Sequence, residues 1–249
     1  MSNLRYLLLQ VRNADDPIAP QEIRCFAKAL DCDESAIEVL DLLSTAPSLE
    51  KIQSVDMILL GGSGQYSAAT ESSEPGRLRS RPWLDRALDA LRELHRVAKP
   101  TFASCWGFQA MARALGGKCI HDLPNAELGT IDLTLTDAGR SDPIFGQLPA
   151  TFAALAGHED HVIELPPDAI LLASSARVAE QAFRFRDKPI YCTQFHPELD
   201  RLSFLERVVA YPQYVERIAG LSYHAFILQV KETPEANTLL QRFVDHSFH

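Results

Sequence analysis

The stretch Thr101-Phe102-Ala103-Ser104-Cys105-Trp106-Gly107-Phe108-Gln109 decides how this chain is read. Its opening residues read as a strand that stops abruptly at a cysteine. Gly107 then opens a helix expected from Phe108 to Leu115 and closed by Gly116-Gly117. A nucleophile on such a strand-to-helix turn is held at the tip, with helix N–H groups behind it. Those groups and the helix dipole favour a thiolate over a thiol.

Far downstream lies Gln194-Phe195-His196-Pro197-Glu198, at what reads as another strand end. Alternation along a strand puts His196 and Glu198 on one face. A histidine so placed takes the proton of a thiol, while the carboxylate orients the imidazole.

Working outward, Tyr6–Val11, Ala36–Leu43 and Met57–Leu60 read as strands, and Pro20–Leu30 and Pro82–Val97 as helices. The third strand ends at Gly61-Gly62-Ser63-Gly64, which lacks the Lys-Ser/Thr that would make it a phosphate loop. Apolar strands separated by helices predict βαβ units and a parallel sheet. Residues 65–81, rich in Ser, Glu and Arg, read as a surface loop beside the turn. Beyond the cysteine, Leu128–Thr136 alternates from Ile131 onward as a half-buried strand. Short strands are expected at Phe152–Leu155, Ala169–Ser174, Ala179–Phe185 and Pro189–Phe195, with closing helices at Arg201–Val209 and Ala236–Phe248.

The 249 residues fit a single domain, 1–249, whose last segment, 200–249, closes it. An apolar fraction of 46% suffices for a core, and a net charge of −9 makes nucleic acid and anionic membranes poor partners. No stretch approaches the roughly 18 apolar residues of a membrane span, and the N-terminus lacks a signal-peptide layout. Five cysteines (25, 32, 105, 119 and 192) make an odd count without metal-ligand spacing. A reduced, cytoplasmic protein is expected, with Cys25, Cys119 and Cys192 inert in the core. The carboxylates around Cys32 in Asp31-Cys32-Asp33-Glu34 disfavour its thiolate.

These segments resemble the class I glutamine amidotransferases, and among them the free-standing, GMP synthase-like members. The family's Gly-x-Cys-x-Gly-x-Gln elbow is matched at Cys105, Gly107 and Gln109, and its His-Pro-Glu element at His196, Pro197 and Glu198. Its Gly-Gly turn is matched at Gly61 and Gly62. Weaker matches are Glu127-Leu128-Gly129 and His158-Glu159-Asp160-His161-Val162. Ala103 stands where the family usually has Gly, Ser63 replaces a frequent Pro, and Trp106 is bulkier than usual. The resemblance implies a flavodoxin-like three-layer sandwich with a mostly parallel central sheet and a smaller antiparallel sheet. No ATP-binding synthetase domain follows Glu198, so GMP synthesis by this chain alone is not expected.

The implied chemistry is cleavage of a glutamine side-chain amide or a γ-glutamyl bond through a γ-glutamyl thioester. Cys105 is the expected nucleophile, His196 the proton shuttle and Glu198 its orienting carboxylate. Backbone N–H groups of Gly62 and Trp106 form the oxyanion site, and Gly61, Gln109, His158 and Asp160 are candidate substrate contacts. Each of these has a plainer reading: a tight turn for the glycine pair, an ordinary helix residue for Gln109, a solvated turn for His158 and Asp160. No cofactor or metal is expected. The substrate is glutamine, with ammonia passing to a separate synthase subunit, or a larger γ-glutamyl compound cut by a stand-alone hydrolase. A binding or regulatory protein that kept the fold and lost the chemistry is the remaining alternative.

Overall fold

A computed structural model describes residues 4–72 and 82–248. The first half alternates between strand and helix. It runs through β1 (Tyr6–Gln10), α1 (Ile18–Ala29), β2 (Ile37–Asp41), α2 (Leu49–Ser54), β3 (Met57–Leu60) and the two-residue β4 (Glu71–Ser72) to α3 (Pro82–Arg96), β5 (Thr101–Ser104) and α4 (Trp106–Ala114). Strands then dominate, from β6 (Lys118–His121) and β7 (Glu127–Leu135), past the short α5 (Asp137–Ser141), to β8 (Thr151–His158), β9 (Asp160–Glu164), β10 (Ala169–Ser175), β11 (Ala182–Phe185) and β12 (Ile190–Thr193). Helix α6 (Arg201–Ala210), a π-helical turn at Val215–Ala219, α7 (Tyr223–Ile227), α8 (Pro234–Asn237) and α9 (Leu239–Phe248) complete the chain.

Nine strands form one sheet in the order β2-β1-β3-β5-β12-β11-β10-β7-β8. Pairings from β2 through β12 are parallel, and those from β12 onward are antiparallel. The inner parallel strands are buried along their whole length, as in β3 (Met-Ile-Leu-Leu) and β5 (Thr-Phe-Ala-Ser), because helices cover both faces. On one face Leu7, Leu9, Ile58, Leu60 and Ala103 pack with Leu88 and Leu91 of α3 and Phe108 and Met111 of α4. On the other, Leu8, Leu59 and Phe102 meet Phe26 of α1 and Leu240 and Phe243 of α9. This is the three-layer α/β sandwich that the resemblance implied. A second sheet joins β4, β6 and β9; its β6–β9 pairing is antiparallel as expected, but β4 runs parallel to β6.

Of the stretch read as a surface loop, residues 73–81 lie outside the described residues. The described part is packed rather than free: Ala68 and Ala69 are buried, the Tyr66 hydroxyl donates to Asn13 Oδ1 (2.6 Å), and Glu71–Ser72 is β4. Among the described residues no helix is long and apolar enough to cross a membrane.

Helix α9 is part of the core and not an appendage. Phe243 is fully buried, with its ring edge-on to Phe102 of β5 (5.7 Å) and Tyr191 of β12 (5.6 Å). Phe243→Ala is expected to cost about 3–5 kcal/mol of folding free energy, read as a lowered urea midpoint with an unchanged slope; a cost under about 1 kcal/mol would mean that α9 contributes little to the fold.

Candidate active site

Three neighbouring parallel strands end at the same edge of the sheet, and each delivers one part of the site. β3 leads into Gly61-Gly62, β5 into Cys105 and β12 into the segment carrying His196 and Glu198. Cys105 has φ 53° and ψ −105°, a strained conformation for a residue with a Cβ. Its N–H donates to the Thr193 carbonyl of the next strand (2.8 Å). The Gly107 N–H donates to the Gly61 carbonyl (3.1 Å), and a Cβ on Gly107 would lie only 2.5 Å from Leu60 Cβ. Glycine at 107 therefore lets α4 start directly against β3.

His196 and Glu198 are both buried. Nδ1 of His196 lies 2.7 Å from Glu198 Oε1, and the ring also interacts with the Cys105 thiol. Burial lowers the pKa of His196, but the Glu198 carboxylate and Cys105 outweigh it and push the imidazole up to about 9. Burial opposes ionisation of Glu198 as well, yet His196 and then Arg207 hold its carboxyl down at about 2. Arg207, from α6, reaches Glu198 Oε1 with Nη1 (3.5 Å) while its Nε donates to Gln21 Oε1 (2.9 Å). A cation on the same carboxylate oxygen as His196, 3.3 Å from its Nδ1, was not expected from sequence. The only signal for it is an arginine nine residues beyond Glu198 at helical spacing from Phe204 and Tyr211.

Gly62 stands over the pair. A Cβ placed there would lie 2.9 Å from His196 Cε1 and 3.6 Å from Cys105 Sγ. Among the described residues neither the Gly62 N–H nor the Trp106 N–H has a hydrogen-bond partner; the latter is one of the orphan donors of a helix's first turn. Both residues line a cleft of about 820 Å³, open solvent included, together with Cys105, Gln109, His158, Asp160 and His196.

The expected substrate contacts fare unequally. Gln109 lines the cleft, but its amide nitrogen is donated to the Asp160 carbonyl (2.8 Å) and to Gln194 Oε1 (3.1 Å), so it braces the wall. Gly61 is not on the cleft surface; it packs on buried Glu22, which a Cβ would overlap. His158 and Asp160 lie buried on strands and not in a solvated turn. His158 Nε2 faces Glu127 Oε2 (3.1 Å), and Asp160 is held by His121 (2.7 Å) and by the Ser67 hydroxyl. Residues that the sequence reading passed over also line the cleft: Arg12, Glu159, Tyr211 and Tyr214. Arg12 is tied to Glu22 and Asp16, and Glu159 to Arg217 (2.8 Å) in the π-helical turn.

A family model described as glutamine amidotransferase class-I matches residues 27–204. The chain belongs to that family. Gamma-glutamyl peptidase 3 of Arabidopsis thaliana is 32% identical over 129 residues, 51% of each chain. One subunit of the glutamine-hydrolyzing GMP synthase from Thermoplasma acidophilum is 32% identical over 127 residues, 49% of this chain and 62% of the relative. The chain thus spans about half to three fifths of the length of these relatives. The crystal structure of a glutamine amidotransferase from Thermotoga maritima superposes with a TM-score of 0.72 over 99% of this chain and 98% of that one, at 18% identity, so the shared fold is whole.

The cysteines are sharply unequal. Burial pushes Cys119 and Cys192 well above the ordinary thiol range and raises Cys25; burial, then Asp33 and Asp31, lift Cys32 to about 11. A glutamine-like electrophile mapped by mass spectrometry is expected to modify Cys105 before the other four. Preferential labelling of Cys32 would break the assignment of Cys105.

Proposed function

We propose that this amidotransferase-family chain hydrolyses the side-chain amide of glutamine or a related γ-glutamyl bond, with Cys105 as nucleophile. The observation that carries the reading is one imidazole, His196, meeting the Cys105 thiol on one side and Glu198 (2.7 Å) on the other, at a strained turn flanked by two unclaimed backbone N–H groups.

Cys105 attacks the carbonyl carbon after giving its proton to His196. The carbonyl oxygen becomes an oxyanion facing the N–H groups of Gly62 and Trp106. One such donor is worth about 2.7–4 kcal/mol of barrier. His196, stabilised as a cation by Glu198, protonates the departing nitrogen as the C–N bond breaks and a γ-glutamyl thioester remains. Water then attacks the thioester with His196 as base, releasing glutamate and returning the proton to sulfur. Arg207 keeps Glu198 ionised and in place. The GMP synthase relative, itself one part of a larger enzyme, supports transfer of ammonia to a separate synthase subunit; the gamma-glutamyl peptidase relatives support release to water. Five free cysteines suit a reducing, cytoplasmic compartment.

The test is glutamate release by the purified chain from glutamine and γ-glutamyl peptides. Cys105→Ser should leave less than about one per cent of activity, His196→Ala nearly as little, and Glu198→Gln more than either, with the double change Cys105→Ser, His196→Ala no worse than the single ones. Full activity in Cys105→Ser would end this reading.

The pH profile offers a second check. The imidazolium must be present to protonate the leaving nitrogen, so kcat/KM should fall as pH rises through about 9. Glu198→Gln removes the main charge that favours the cation, leaves burial less opposed, and should move this alkaline limb to lower pH. An unmoved limb would show that Glu198 does not act on His196.

A further inference from the structure

Helix α6 turns Phe204, Arg207 and Val208 to one side, at spacings of three and four, and these three and the capping Tyr211 line the cleft. Arg207 belongs to the Glu198–His196 pair. Phe204 and Val208 are apolar and almost wholly buried, and Leu199 beside them is fully so. Leu128 of β7, partly buried, packs against the same cluster and also lines the cleft. A Cβ on Gly157 would lie 3.4 Å from Leu128 Cδ1 and 3.9 Å from Phe204 Cε2, and the Gly157 carbonyl is itself 3.8 Å from Cys105 Sγ. An apolar wall therefore begins one residue away from the nucleophile. Polar residues line the same cleft, among them Arg12, Ser63, Gln65 and Glu159.

Three groups leave the carbon of a scissile amide: the oxygen, the glutamyl chain and the nitrogen. The oxygen lies against the Gly62 and Trp106 N–H groups. The glutamyl head carries an ammonium and a carboxylate, which apolar side chains cannot satisfy, so it takes the polar part of the lining. The nitrogen must come within reach of His196. Leu199 adjoins that residue, its N–H donating to the His196 carbonyl (3.2 Å), and α6 follows immediately. Ammonia, the leaving group of glutamine, gains nothing from an apolar wall.

We propose that the site takes γ-glutamyl amides whose amine carries an apolar group, such as γ-glutamyl dipeptides ending in Leu or Phe, and that Leu128, Phe204 and Val208, supported by Leu199 of the same buried cluster, form the subsite for that group. This rests on the reading of Cys105 as the nucleophile. The C–N bond breaks and a C–S bond forms, the thiol proton goes through His196 to the departing amine, and water regenerates the thiol with release of glutamate.

The experiment compares kcat/KM of the purified chain for γ-glutamyl-leucine, γ-glutamyl-phenylalanine, γ-glutamyl-glycine and glutamine. The two apolar compounds should exceed the other two by at least about tenfold, since a well-fitted apolar pocket discriminates by roughly 10- to 200-fold. Val208→Asp should cut the leucine-to-glycine ratio by about tenfold or more. The ratio is taken within one preparation, so a smaller folded fraction cancels. Leu128→Ser, on β7 and less buried, gives the same test where Val208→Asp fails to fold. Equal turnover of glycine and leucine compounds, or a ratio unmoved by the variants, would overturn the subsite and leave Cys105 as nucleophile. Failure of all four compounds to release glutamate would remove the reading of the Cys105 site, and the subsite with it.

Discussion

The backbone at Cys105 holds a side chain where φ 53° and ψ −105° make one costly, and the surrounding structure is arranged to keep it there. Such strain costs on the order of 1–3 kcal/mol and persists only where neighbours over-determine it. Here β5 lies between β3 and β12 in the buried parallel half of the sheet, so neither end of the turn can relax sideways. Gly107 removes the one Cβ that would push α4 away from β3. Phe102 on one face and Ala103 on the other anchor the preceding strand in two separate hydrophobic clusters.

Charge under and beside that turn is handled by pairing. Arg12, Asp16 and Glu22 are all buried, with Arg12 bridging both carboxylates, and Gly61 rests on Glu22. Removing the arginine would leave two buried carboxylates without a cation, the costly way to break such a network. Glu198 repeats the pattern, shared between His196 and Arg207. The two arginines come from opposite ends of the chain. Tyr211, next after α6, joins the regions by donating its hydroxyl to Asp16 (2.6 Å) and accepting from Arg12 (3.2 Å).

The parallel core was legible because its strands are continuous apolar runs ending at marked turns: Met57–Leu60 is found as expected, and β1, β2, α1 and α3 shift by only a residue or two. The elbow and the His-Pro-Glu segment were legible for the same reason, since each couples an unusual turn to a strand end. Shorter elements were not. Helix α2 has six residues and owes its start to the Ser48 side chain accepting from the Lys51 N–H, too little for a periodic signal. Strand β9 reads Asp-His-Val-Ile-Glu, whose polar start suggests a turn; it is a strand because His121 and Ser67, distant in sequence, take up Asp160. Arg207 and Arg12 escaped notice because only the tertiary packing, not a motif, shows which carboxylates they meet. The Gly61 reading assumed that both glycines of the pair serve the cleft, whereas one serves packing.

The hydrogen bond from the Cys105 N–H to the Thr193 carbonyl has a mechanical meaning. It makes the residue bearing the thiol a rung of the ladder that continues into the imidazole-bearing segment. Thr193 is further locked by its hydroxyl donating to the Phe195 carbonyl (2.9 Å), one residue before His196. Cysteine and histidine therefore cannot drift apart by loop motion; they separate only if the centre of the sheet opens. Cooperative units of this kind exchange their amide hydrogens at rates close to those of global unfolding. The Cys105 amide thus belongs with the slowest-exchanging protons of the molecule, although it sits at the floor of a cleft.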